Sequence, residues 1–256
     1  MAILTLDQVA IHYQTATREL DAISNVSFSV NEGEFLTIIG PSGCGKSTLL
    51  SAIAGLTAID NGCISINNEG NTEGTAKTTV GYMLQQDCLF PWRTIKQNVY
   101  LGLEIKGMLT QENKDYADHL LQSYGLAEFK DSYPKELSGG MRQRVALIRT
   151  MAIKPSILLL DEALSALDYQ TRLHVSEDLY HIIKSEGMTA ILVTHDITEA
   201  ISMSDRVVVL TKRPAMVKKI YTIDFKDGRG SPLICREKPE FGQYFNAIWR
   251  DIDAQL

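Results

Sequence analysis

Gly40-Pro41-Ser42-Gly43-Cys44-Gly45-Lys46-Ser47 meets the pattern G-x-x-x-x-G-K-[ST] at every fixed position. The run Glu34-Phe-Leu-Thr-Ile-Ile39 leads into it and predicts a buried strand. Thr48-Leu-Leu-Ser-Ala-Ile-Ala54 follows and predicts a helix. A strand, a glycine-rich turn and a helix start together form a phosphate cradle. The glycines let backbone N–H groups turn inward around an anion. The helix N-terminus adds unpaired donors and a partial positive charge. In such a cradle Lys46 reaches the β- and γ-phosphates, and the Ser47 hydroxyl binds Mg²⁺.

Composition narrows the class. The chain has 256 residues, 45% hydrophobic and 22% charged, which is ordinary for a globular protein of one large or two small domains. The net charge of −6 and the lack of a long Lys/Arg run disfavour nucleic acid as a partner. Cys44, Cys63, Cys88 and Cys235 form no C-x-x-C pair, as expected of free thiols in a reducing compartment. The N-terminus lacks the basic start and apolar core of a signal peptide. No apolar run approaches the ~18 residues of a membrane span. The expectation is a soluble protein whose membrane role, if it has one, comes through a partner.

In chain order, residues 3–13 predict a strand ending in His12-Tyr13, and Asn25–Val30 a second strand in a hairpin-like N-terminal sheet. Cys63–Ile66 predicts a short strand, 67–77 a polar loop, and Thr79–Leu84 another strand. Between Asp87 and Met151 the period changes. Thr94–Ile105, Thr110–Tyr124 and Gly140–Met151 show helical spacing and predict a helical insertion. Strands at Ile157–Asp161, Thr189–Thr194 and Arg206–Leu210 then alternate with helices at Tyr169–Ser185 and Asp196–Met203, the pattern of a parallel sheet. The tail holds a strand at Val217–Ile223 and a helix from Pro239. That helix sets Phe241, Phe245, Ile248, Trp249 and Ile252 on one stripe, for packing against the body.

Four apolar residues precede Asp161-Glu162. A buried parallel strand carries its C-terminal end to the ligand edge of the sheet. Asp161 there holds Mg²⁺, directly or through water, and Glu162 polarises a water in line with the γ-phosphate. Leu137-Ser138-Gly139-Gly140-Met141-Arg142-Gln143 supplies an N-cap serine and open N–H groups at a helix start, a second anion site. Two anion cradles for one nucleotide make sense if two copies pair head to tail, each closing the other's phosphates.

Together these stretches resemble the ATP-binding subunit of an ABC transporter over about residues 1–215. The resemblance implies an α/β fold: a P-loop NTPase, RecA-like core with an N-terminal antiparallel β subdomain and an α-helical insertion. It implies one ATPase domain, with the core at 1–86 and 152–215 and the helical subdomain at about 87–151. A short extension, 216–256, then packs on the core. ATP and Mg²⁺ are the implied cofactors. The loop residues Gly40 to Ser47, with Thr48, hold the phosphates. Ser138, Gly139 and Gly140 contact the ATP of the opposite subunit, and Asp168, in Ser165-Ala-Leu-Asp168, lies on the loop that crosses the dimer interface. Gln85 joins Mg²⁺ and the attacking water to the helical insertion; Gln86 stands one residue away. His195 resembles the switch histidine on the γ-phosphate. Tyr13 takes the place of the aromatic residue that stacks on adenine, or is a residue of the core or the sheet surface.

Cys88-Leu-Phe-Pro91-Trp92-Arg93-Thr94 resembles importers of the nitrate, sulfonate and taurine group. There Phe90, Pro91 and Trp92 offer an apolar contact to the permease, or pack locally. The implied partners are a second ATPase subunit, identical or paralogous, the integral-membrane permease, and indirectly an extracytoplasmic solute-binding protein. The implied place is the cytoplasmic face of the membrane. A soluble non-transport ABC ATPase and an exporter ATPase share the catalytic motifs. No residue encodes the cargo, which the ATPase does not touch.

Overall fold

The computed structural model describes residues 1–14, 19–66, 79–165 and 167–253. The expected loop at 67–77 and the Ala166 position lie outside these residues. The N-terminal strands β1 (Ala2–Gln14) and β2 (Glu19–Asn31) pair antiparallel. β3 (Phe35–Ile39) runs into the glycine-rich loop and α1 (Lys46–Ile53), which starts two residues earlier than expected. β4 (Asn61–Ile66) returns to pair with β1, and β5 (Val80–Met83) follows. Three helices come next: α2 (Ile95–Ile105), α3 (Gln111–Ser123) and α4 (Gly139–Met151). Then β6 (Ile157–Asp161), α5 (Tyr169–Ser185), β7 (Thr189–Val193), α6 (Ile197–Met203) and β8 (Arg206–Leu210) alternate. β9 (Ala215–Thr222) and α7 (Pro239–Asp253) complete the described chain.

The nine strands among the described residues form one sheet, ordered β4-β1-β2-β9-β8-β3-β7-β6-β5. The five strands from β8 to β5 are parallel. β3, β6 and β7 are buried at every residue, as parallel strands covered on both faces must be. Alternation along them divides the core. Leu158 and Leu160 face the helical insertion, packed with Val99, Leu120 and Ile148. Ile157 and Leu159 face the opposite way, toward Leu49, Leu50 and the N-terminal strands.

The insertion helices begin where a side chain satisfies the free N–H groups of the first turn. Thr94 and Gln97 close a reciprocal capping box on α2, at 3.2 and 2.9 Å. Thr110 caps α3 and Ser138 caps α4, each at 3.3 Å.

Two expectations for the tail need correction. A boundary at 215 falls at the first residue of β9, which pairs antiparallel with β8 and parallel with β2, so this strand belongs to the sheet. Of the described tail, residues 223–253 lie outside it. On α7, Ile248 is buried among Ile39, Ile201 and Val209 with Phe241, Phe245 and Ile252 around it, but Trp249 is 52% exposed and stacks on Phe245.

Candidate active site

Backbone crowding shapes the loop after β3. Gly43 and Gly45 take φ of 72° and 121°, which L side chains resist. A Cβ at Gly45 would lie 3.1 Å from the Ala22 carbonyl oxygen, and one at Gly40 would lie 3.0 Å from that of Leu210. Lys46 is buried, and its Nζ donates to the carbonyls of Gly40 (2.9 Å) and Pro41 (3.0 Å). Two of its three donors thus brace the loop that the sequence expects it to serve, and the charge sits inside the turn. Cys44 is buried, and burial pushes its thiol up against the pull of Lys46 and Arg213.

The loop forms one wall of a cleft of about 590 Å³. Ser42, Gly43 and Gly45 to Thr48 line it, with Arg213 beside them on the loop and Gln85, Glu162 and His195 completing the lining. Gly40, Pro41 and Cys44, expected in the binding set, do not line it: the first two turn their carbonyls to Lys46.

The two acids at the end of β6 go separate ways. Asp161 is buried, accepts the Ser47 hydroxyl at 2.8 Å and touches Tyr82 at 3.4 Å. Burial holds its carboxyl above the usual range, and the Ser47 hydrogen bond pulls it back. Glu162 takes φ 46°, the left-handed region, at a cost of about 1–3 kcal/mol for a non-glycine residue. Its N–H bonds to the Val193 carbonyl at 2.9 Å, and Ser165 Oγ donates to its carbonyl at 2.8 Å. That turn aims its carboxylate into the cleft. There Gln85 Nε2 donates to Oε2 at 3.0 Å, and His195 Nδ1 lies 3.4 Å from Oε1. Of the adjacent glutamines, Gln85 is the one that reaches Glu162.

His195 follows β7. Asp196 next to it accepts the N–H groups of Thr198 (2.8 Å) and Glu199 (3.2 Å), capping α6. Although Asp196 and Glu199 have the spacing of a capping box, none closes: the Asp196 N–H bonds to Thr194 Oγ1, and the buried Glu199 carboxyl is hydrogen-bonded to Thr194.

Ser138, Gly139 and Gly140 start α4 outside the described lining of this cleft, where Leu167 packs against Gly140. Asp168 caps α5 through Thr171 N–H at 3.0 Å, which holds its carboxyl below the usual range. Tyr13 is 39% exposed near the end of β1, also outside the lining.

The sequence did not single out Gln143 or Arg213. Gln143, buried on α4, donates Nε2 to the Ala163 carbonyl at 2.8 Å and to that of Gln85 at 3.4 Å. Arg142 Nε meets Asp87 at 3.0 Å, and Arg149 donates to the carbonyls of Asp87 and Cys88, both at 2.7 Å. The segment that carries Gln85 is therefore fastened to the helix that begins at Ser138. Gln143 lay in plain view inside a motif, but its targets are set by the fold. Arg213, before a proline in a turn, gave no signal.

Residues 23–165 match the family described as ABC transporter. An uncharacterised ABC transporter ATP-binding protein of Bacillus subtilis (strain 168) is 44% identical over 254 residues, which are 99% of this chain and 97% of that protein. An aliphatic sulfonates import ATP-binding protein of Bacillus cereus (strain ATCC 10987 / NRS 248) is 41% identical over 217 residues, 85% of this chain and 84% of its own. Among solved structures, a dimeric post-hydrolysis state of an ATP-binding cassette bound to ADP and Pi is 31% identical, with a TM-score of 0.75. That match covers 87% of this chain and 99% of the other. With a phosphate loop facing a carboxylate held between a glutamine and a histidine, the chain belongs to the ABC transporter family as an ATP-binding, ATP-hydrolysing subunit.

Proposed function

We propose that this subunit powers an importer of a small anionic solute, of the nitrate, sulfonate or taurine kind, through a separate permease. The observation that carries the catalytic part is the Glu162 carboxylate held by Gln85 and His195 across the cleft from Lys46. Lys46 and the loop N–H groups neutralise and orient the phosphates. Glu162 accepts a proton from the attacking water, which Gln85 helps to place. His195 addresses the γ-phosphate. Tyr13 stacks on the adenine.

The hydroxyl of Ser47, the carboxylate of Asp161 and the side-chain oxygen of Gln85 are hard oxygen donors that fit Mg²⁺. When bound, Mg²⁺ neutralises charge on the transferring phosphoryl group.

The Ser138–Gly140 helix start lies outside this chain's own cleft, which supports a head-to-tail pair: each copy's Ser138, Gly139 and Gly140 close the other's phosphates, and Asp168 lies at the crossing. The second subunit is another copy or a paralogue. The likeness to an aliphatic sulfonates import protein supports the direction of transport. A docking surface is supported by the patch in which Trp92, 70% exposed, stacks on Phe90 at 5.0 Å. Phe90, Pro91 and Trp92 there receive the permease at the cytoplasmic face of the membrane, with a solute-binding protein on the far side. No described helix is long and apolar enough to cross a membrane.

The test has two arms. Lys46→Ala should lose ATP binding; full affinity would count against the loop's role. Deletion of this subunit should abolish uptake of the sulfonate or nitrate that its permease carries. Unchanged uptake, with the subunit co-purifying without a membrane protein, would favour a soluble ABC ATPase instead.

A further inference from the structure

We infer that Arg213 is a second cation for the nucleotide's phosphates, delivered to the phosphate loop by the turn between β8 and β9. The turn is built for delivery. Thr211 N–H bonds to the Met216 carbonyl at 2.9 Å, Met216 N–H returns to Thr211 Oγ1 at 2.9 Å, and Thr211 Oγ1 donates to the Pro214 carbonyl at 3.3 Å. Beyond it, β9 is held in register against β2, with Ile23 opposite Ala215. Before it, Leu210 lies so close to Gly40 that a Cβ at that glycine would sit 3.0 Å from the Leu210 carbonyl oxygen. Three residues past this contact, the Arg213 guanidinium donates to the Gly43 carbonyl and lines the cleft with Lys46, Ser47 and Glu162.

The chemistry of the group selects the ligand. A guanidinium carries five N–H donors in a fixed fork, and one on Gly43 leaves others for phosphate oxygens. Lys46 already gives two of its three donors to loop carbonyls, so Arg213 adds cationic donors to the one that Lys46 has left. A polyphosphate is the ligand that rewards two cations on one wall; a nucleoside without phosphates gains nothing from the second.

The inference rests on the loop being the phosphate site, and the experiment separates the two. Binding of AMP-PNP, ADP and adenosine to the purified full-length chain is measured by calorimetry at low and at high salt. Arg213→Ala should weaken AMP-PNP about ten-fold at low salt, ADP less and adenosine not at all. The loss should shrink at high salt, where an exposed cation is screened. Arg213→Lys should recover part of the affinity. Arg213→Gln, which can still donate to Gly43 without a charge, should recover none. Wild-type affinity in Arg213→Ala, full rescue by Arg213→Gln, or an equal loss for adenosine would each overturn the inference. Lys46→Ala, run beside them, tests the loop: if it binds AMP-PNP normally, the site reading fails; if it loses binding while Arg213→Ala does not, only the role of Arg213 fails.

Discussion

Gln85 donates its side-chain amide to the Glu162 carboxylate at 3.0 Å, across 77 positions of sequence. The contact joins the end of β5 to the end of β6, neighbours in the sheet. It occupies one carboxylate oxygen while His195 stands by the other. If Glu162 takes the proton from water, Glu162→Gln should bind ATP and lose about 10²–10⁴-fold in turnover. It should also accumulate as closed dimers. Phosphate release at the normal rate would refute the role.

Gln143 braces both ends of that contact, through the carbonyls of Ala163 and Gln85. Gln143→Leu keeps the volume and removes both donors. Misplacement by a fraction of an ångström should lower kcat about ten-fold or more. The Kd for ATP should stay within a factor of two, because no phosphate contact is touched. Equal effects on kcat and Kd, or none on either, would remove Gln143 from the positioning set.

Glu199 gives a pH signature. Burial raises its pKa from the ordinary 4.5; the Thr194 hydrogen bond opposes this, Asp196 adds to it, and Arg172 and His195 oppose it. A raised acid contributes stability that is complete below its unfolded pKa and is lost as pH climbs through the folded value. Glu199→Gln fixes the neutral form. Its melting temperature should therefore gain on the native chain's as pH rises from about 5 to about 8. A constant difference across that range would show that the carboxyl does not titrate as placed.

Trp92 separates docking from folding. It is 70% exposed and packs only against Phe90 among the described ring pairs. Trp92→Ala should leave stability within about 0.5 kcal/mol. Recovery of the membrane subunit in a pull-down should nonetheless fall. Undiminished recovery would move the permease contact elsewhere.

Much of this was legible because the signals are local. Continuous apolar runs marked β3, β6 and β7, and helical spacing between Asp87 and Met151 marked α2, α3 and α4. The phosphate loop, Asp161, Glu162 and His195 were readable because strand ends sit at the ligand edge of a parallel sheet. What stayed hidden is non-local. The β2–β9 pairing joins residues about 190 positions apart and has no pattern of its own. Lys46 turning to Gly40 and Pro41 depends on a loop curvature that no motif states. The buried amide of Gln143 looks like any polar helix residue until Ala163 is brought beneath it.

The place of β9 in the sheet bears on how the chain can be shortened. Ending it at the apparent domain limit, residue 215, would strip the shared neighbour from both β2 and β8. Two ribbons of unpaired amides and carbonyls would open in the middle of the molecule, each a template for foreign strands. Such a truncation should come out of the cell as insoluble material, with its nucleotide site wrecked from a distance.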